Sequence, residues 1–426
     1  MANRIALTMV FTLSFASYLA PDLTLSLQIA PLVLFALIVV FRVFFSRDLL
    51  AALESLVAID SLLFVLFVSL LVIIPSMQSE FDKSFAFSIV LSSCLILARL
   101  YMAVVPVSDV LDAFFWSGVI SVTVFLPLVF TSLLESIRTL SRFTAFSFHP
   151  NLLAFVLGGY FCSMVWKFLS GGWAIKLIAA PIGIVCLIVI FFASSRGSIL
   201  GIIGGLVVVA TTWIAHMPRQ RRARSLRLTF WAVTLIVTAF IFVQRLQWVE
   251  DTYTFMDKVL QLTDAGRGID SGFTGRVDKW QETVNSLKDG TWLLGHGIRS
   301  SDSMPQLIDN SYIVSLYEIG LIPVALIFVR FVAALRRFVK ASFTASDLRQ
   351  AQLFLACALL MVSFLLNNFV ARYLFSVGNP YSFLAILFFA APCDGRASLA
   401  NLTLTGTPVH IGSTQTGLGS QGQFPT

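Results

Sequence analysis

Apolar residues run in blocks of about twenty along most of the chain, separated by short polar connectors. A membrane-crossing helix needs roughly 20 such residues. The pattern therefore predicts an all-α, polytopic integral membrane protein of about 12 transmembrane helices. They fall over 4–21, 23–45, 56–75, 84–105, 110–134, 150–169, 173–193, 198–216, 228–245, 311–334, 351–370 and 374–391. One interval breaks the pattern, a polar run of about 65 residues from Arg245 to Asp309. Spans need little polar sequence to join them, so a connector this long is where water-side chemistry is expected. Inside it, Val277, Trp280, Val284 and Leu287 recur at helical spacing while Asp278, Lys279, Glu282 and Lys288 face elsewhere. This predicts an amphipathic helix on the membrane surface or over a cavity mouth, with Thr274 as its N-cap. Trp248, Phe255, Val259 and Leu262 predict an earlier helix, joined to it by a flexible bridge at Gly266, Gly268, Gly272 and Gly275.

Composition agrees with the pattern. The chain is 58% hydrophobic and 12% charged over 426 residues, against roughly 25% charged in soluble domains. Its net charge of +7 does not point to nucleic acid, because the cations cluster in two connectors. These are Arg219, Arg221, Arg222, Arg224 and Arg227, then Arg336, Arg337, Lys340 and Arg349. Such clusters mark cytoplasmic loops. Two predicted spans separate them, so the long loop, with seven Lys/Arg against ten Asp/Glu, falls outside. Both termini then fall inside. Residues 1–392 form one helical domain that includes the external loop 245–310, and the Gly/Ser/Thr-rich tail 393–426 reads as disordered and cytoplasmic. Cys94, Cys162, Cys186 and Cys357 lie in spans, and with Cys393 they form no CxxC pair, which suits small apolar packing residues.

Several polar residues fall at the external face. Arg196, in Ser194-Ser195-Arg196-Gly197-Ser198, stands where a span begins, either as an interfacial anchor or as an anion seat at a helix N-terminus. Arg276 and Arg299 are solvated loop charges or further phosphate contacts. In His149-Pro150-Asn151, Asn151 is expected to cap a helix with Pro150 in its first turn, and His149 is placed to touch a polar substrate group. Asp309-Asn310 opens the tenth span, as an N-cap or with Asp309 as a general base on a hydroxyl. Glu318 lies nine residues on, about 13 Å deeper along one helix, where it would pair with Arg372 or shape a cavity floor. Arg99 is expected to snorkel toward the cytoplasmic interface. The loop has no HExxH, DxD or Cys/His metal spacing and the chain has no Walker motif, so a metal-free mechanism without a cofactor is expected.

The order of these elements resembles the O-antigen ligase and O-antigen or exopolysaccharide polymerase superfamily, bacterial membrane proteins that transfer lipid-linked glycans. The resemblance rests on His149-Pro150-Asn151, Ser195-Arg196-Gly197, Gly275-Arg276 with Trp280, and Gly295-x-Gly297. It continues through Asp309-Asn310-Ser311-Tyr312 and Leu316-Tyr317-Glu318-x-Gly320, and covers roughly 140–335. It implies an inner-membrane enzyme with a periplasmic active site and an undecaprenyl-diphosphate-linked saccharide as donor. Membrane lipid and chain-length-regulating or export proteins would be partners. Arg196 and Arg276 would hold the diphosphate, with Arg299, Asn310, Glu318 and Trp280 about the substrate and His149 and Asp309 at the chemistry. Ligases of the family often carry His where this chain has Asp309, which leans the expectation toward a polymerase of oligosaccharide repeats. A ligase to lipid A core or protein and a polytopic transporter are the alternatives. Against transport stand the scarcity of broken helices in the pattern and the lack of an evident repeat.

Overall fold

A computed structural model describes residues 2–19, 24–44, 49–57, 59–74, 81–139, 143–145, 149–216, 272–287, 291–304, 308–345 and 347–391. The ninth predicted span, the connector 219–227, the loop helix over 248–262 and the tail 393–426 lie outside the described residues. Within them the chain is helical. The order is α1 (Ala2–Ala16), α2 (Thr24–Phe44), α3 (Leu49–Val57), α4 (Ile59–Ile73), α5 (Phe81–Val104), α6 (Val107–Thr139), α7 (Pro150–Ser170), α8 (Trp173–Phe192) and α9 (Arg196–His216). There follow α10 (Gly272–Ser286), α11 (Thr291–Leu294), a 3-10 turn at Ser300–Ser303, α12 (Ser311–Ile319), α13 (Leu321–Thr344), α14 (Leu348–Asn367) and α15 (Pro380–Ala390).

Five stretches among the described residues are long and apolar enough to cross a membrane: Ser84–Val104, Val107–Thr139, Pro150–Ser170, Trp173–Phe192 and Leu348–Asn367. These helices define a helical membrane protein. The helix starts follow local chemistry. Asp347 accepts the Gln350 N–H at 2.7 Å to cap α14, and Asn379 accepts from Tyr381 and Ser382 to cap α15. Helices α9 and α14 pack closely because Gly197, Gly201 and Gly205 recur every four residues on one face. A Cβ at Gly201 would stand 2.8 Å from Ser363 O. Small residues let two helix backbones approach in this way.

The tenth expected span, 311–334, is not one helix. It breaks at Gly320 (φ 78°, ψ 176°) into the nine-residue α12 and the 24-residue α13. The twelfth, 374–391, is also shorter than expected. Residues 368–379 form an irregular connector, and α15 has only 11 residues, all of them buried. At a rise of 1.5 Å per residue α15 is about 16 Å long, about half the hydrocarbon thickness. It stands at the centre of the bundle, packed by α1, α5, α6, α7, α13 and α14. The Tyr381 ring lies against Phe155 at 5.0 Å and Phe364 at 5.4 Å.

A helix that ends inside a protein has no water for its last carbonyls. Here three guanidinium groups take that place. Arg330 donates to Phe389 O at 3.1 Å and Ala391 O at 2.9 Å, Arg337 to Ala391 O at 3.1 Å, and Arg99 to Ala390 O at 3.1 Å. Arg99 also donates to Ser55 O at 2.8 Å and is 0% exposed. It does not snorkel, because buried carbonyls within its reach need donors more than its charge needs the interface. Arg330→Leu is expected to cost about 2 kcal/mol, since Phe389 O would lose a charged donor. Arg336→Leu, at an exposed position nearly two turns further along α13, is expected to change stability by less than about 0.5 kcal/mol. Thermal unfolding in detergent distinguishes the two, and equal midpoints would show that the cap does not stabilise α15.

Candidate functional site at the loop end of the bundle

The loop from Thr291 to Met304 folds back onto α12. Gly295 (φ 74°) and Gly297 (φ 100°) take left-handed backbone, which glycine adopts without steric cost. The turn lets His296 N donate to Tyr317 O at 2.9 Å and Gly297 N to Glu318 O at 2.7 Å. The last carbonyls of α12 thus find donors in the loop. The contact is reciprocal. A Cβ on Gly295 would lie 2.4 Å from Glu318 O, and one on Gly320 would lie 2.3 Å from Leu293 O. The His296 ring stacks on Tyr317 at 4.3 Å. The loop also reaches α5, where Ser84 Oγ donates to Ile298 O at 2.7 Å and the Arg299 guanidinium covers the Phe87 ring at 4.8 Å.

Asn310 is the cap of α12. Its side chain accepts from Tyr312 N at 2.9 Å and Ile313 N at 3.2 Å. Asp309 precedes it, half-buried, and leaves the capping to Asn310. Ser311 joins the helix start to the connector. Its N–H donates to Ala371 O at 2.8 Å, and its hydroxyl lies 2.6 Å from Asn368 Oδ1. The Tyr373 hydroxyl is raised by burial and then by the Asp309 charge, with Arg372 opposing. Asp309 and Arg372 therefore both act on Tyr373.

Glu318 lies near the end of α12, where the loop closes on it. Its carboxylate accepts from Ser301 Oγ at 2.5 Å rather than pairing with Arg372. Burial pushes this carboxyl up, while the Ser301 hydroxyl and the Arg299 guanidinium pull it back. Arg372 pairs instead with Asp302, Nη2 to Oδ1 at 2.8 Å, and Arg299 Nε meets the other oxygen of the same carboxylate at 2.9 Å.

Helix α9 brings Arg196 to the same end. Ser194 is left-handed at φ 54°, which turns the chain so that α9 begins at Arg196, half-buried. Ser198 accepts from Asn367 Nδ2 at 3.0 Å, and a Cβ on Gly197 would overlap Val370. The start of α9 therefore lies against the end of α14 and the connector that carries Arg372.

Two expected caps are corrected. His149, not Asn151, caps α7: His149 Nδ1 accepts the Asn151 N–H at 3.3 Å, because its extended backbone (ψ 136°) lets the ring reach back over the first turn. Thr274 lies inside α10, which starts two residues earlier. Helix α10 packs on α12 and buries Thr283, with Trp280 half-buried. The Arg276 side chain lies outside the described residues. His149 is exposed at the start of α7, and Phe155 two turns on meets Tyr373 at 5.1 Å.

The structure places Asp309 and Asn310 at the start of α12 and Glu318, with Arg299 beside it, near the other end, about 12 Å along the helix, while Arg196 opens the neighbouring helix α9. An apolar groove of about 240 Å³ adjoins them, lined by Tyr312, Ser315, Phe328 and Phe331 among others. Arg372, Asp302 and Ser301 were not singled out as site residues from the sequence. The one signal for them was an arginine at 372 standing between two apolar runs. No protein-family model matches the chain, and no curated protein matches it significantly.

Proposed function

We propose that this protein is a glycosyltransferase of the bacterial inner membrane that polymerises undecaprenyl-diphosphate-linked oligosaccharide repeats at the periplasmic face. The observation that carries the proposal is the gathering of arginines with an acid–amide pair at one end of a helical membrane bundle. Asp309 and Asn310 open the short helix α12, Arg299 lies on the loop folded against its other end, Arg196 opens α9 beside the connector that follows α14, and α10, the helix of Arg276, is docked on α12. In this mechanism a hydroxyl of one lipid-linked glycan attacks the anomeric carbon of another. The bond from that carbon to the diphosphate oxygen breaks, and the polyprenyl diphosphate leaves with the electron pair. The hydroxyl proton passes to the Asp309 carboxylate. Arginines hold the leaving diphosphate, whose charge grows in the transition state. Configuration inverts at the anomeric carbon. Both termini lie in the cytoplasm, and the tenth crossing begins at Leu321 rather than at Ser311.

A ligase that moves the same donor to lipid A core or protein shares every step but the acceptor. A transport reading gains support from the break at Gly320 and the half-length α15, since interrupted helices are frequent around transporter sites. Purified protein incubated with a defined lipid-linked repeat separates the three. Polymerase activity yields a ladder of longer lipid-linked chains on a gel. A ligase leaves the repeat unextended without its acceptor, and a transporter moves it across proteoliposomes without altering its size. Unextended repeat from active, folded protein removes the polymerase proposal.

A further inference from the structure

Two arginines from distant parts of the chain share one carboxylate at this site. Arg299 comes from the loop and Arg372 from the connector before α15, and Asp302 holds one of them on each oxygen. The arrangement fixes the Arg372 guanidinium, because a carboxylate that grips one edge of the fork orients the whole plane. Its other nitrogen, Nη1, is buried and has no hydrogen-bond partner among the described residues. The side chain is 22% exposed, so the group is not simply solvated. A buried charged donor without an acceptor is costly, and native proteins seldom keep one unless something binds there. Close by, Ser311 is bonded to the carbonyl of the residue before Arg372.

We infer that Arg372, oriented by Asp302 and seated beside Arg299, directly contacts a phosphate oxyanion of the donor. This deepens the glycan-transfer proposal and rests on it. The class of ligand is a diphosphate, whose neighbouring oxyanions can engage two guanidinium groups at once. Its position also fits the chemistry: Ser311, two residues after the proposed base Asp309, is bonded to Ala371 O, next to Arg372, so the segments carrying the proton acceptor and the leaving-group contact are paired. In this arrangement Asp302 is a positioning residue.

The test is binding of farnesyl diphosphate and of inorganic pyrophosphate to the full-length protein in detergent. Wild-type protein is expected to bind both, and farnesyl diphosphate more tightly if the anion is lipid-linked. Equal or tighter binding of pyrophosphate would overturn the lipid-linked source in favour of a free anion. Arg372→Gln is expected to weaken farnesyl diphosphate binding by at least about tenfold. Asp302→Asn, which releases the guanidinium but keeps its charge, is expected to weaken it about threefold. Arg336→Gln, at an exposed cytoplasmic-side arginine, serves as the reference that keeps wild-type binding. Wild-type affinity in Arg372→Gln overturns this assignment and leaves the glycan-transfer proposal standing. Wild-type protein that binds neither probe overturns both. Should Arg372→Gln lower the thermal midpoint, Arg372→Lys carries the test, since it keeps the charge beside Asp302 and loses the fork. Its binding is expected to be about threefold weaker, and unchanged affinity there overturns the contact.

Discussion

Arg196→Ala is expected to lower chain extension by about two to three orders of magnitude while protein abundance stays normal. That is the scale on which removing one preorganised donor from a developing oxyanion slows an enzyme. Arg196 stands at the first position of α9, behind the left-handed Ser194, where the dipole of the helix start favours an anion. Helix α9 has packing contacts apart from this side chain. Its glycine face against α14 and the Ser198–Asn367 hydrogen bond hold it in place. Activity and folding are therefore separable at this position. Arg276→Ala, on the helix docked against α12, is expected to have an effect of the same size. Gel analysis of the polymer with immunodetection of the protein checks both. Full-length polymer from either variant would remove that arginine from the diphosphate.

Gly320→Ala is expected to destabilise the loop end of the bundle by about 3 kcal/mol or more. Its backbone (φ 78°, ψ 176°) lies in a region that is essentially glycine-only. A Cβ would also stand 2.3 Å from Leu293 O, which is backbone and cannot rotate away. Relief requires the loop to lift from α12. That move breaks the His296–Tyr317 and Gly297–Glu318 backbone bonds and the Ser301–Glu318 hydrogen bond together. Limited proteolysis should then cut within 291–304 well before the wild type is cut, and chain extension should fall with it. Ser303→Ala, exposed on the same loop, is expected to behave as wild type. Wild-type protection in Gly320→Ala would show that the glycine crossing does not hold the loop.

Elements long in apolar residues were legible in the sequence. The helices over 84–104, 150–170, 173–192 and 348–367 match their expected spans within a few residues, because hydropathy over some twenty positions reports burial in lipid directly. Shorter apolar runs were not. The segments 311–334 and 374–391 carry the same composition as a continuous span, and hydropathy does not register a break or an irregular connector. Gly320 was visible as a residue but not as a break. Its meaning comes from Leu293, 27 positions earlier in the chain.

The candidate site divides along the same line. Asp309-Asn310 at a helix start, Arg196 at another and Pro150 at a third could be read locally, since caps and helix termini act within a few residues. Glu318 meets Ser301 rather than Arg372, because its surroundings are set by the returning loop. Arg99 was assigned to the interface, because nothing near it in sequence says that α15 ends in carbonyls beside it. What the sequence determined by itself is the solvent: so apolar a chain packs as helices, and its polar chemistry is left to the connectors and helix ends. What only the tertiary structure decided is which cations meet which anions. A guanidinium, a carboxylate or a glycine carries no mark of a partner tens or hundreds of residues away, and its role is set only when packing brings that partner within a few ångströms.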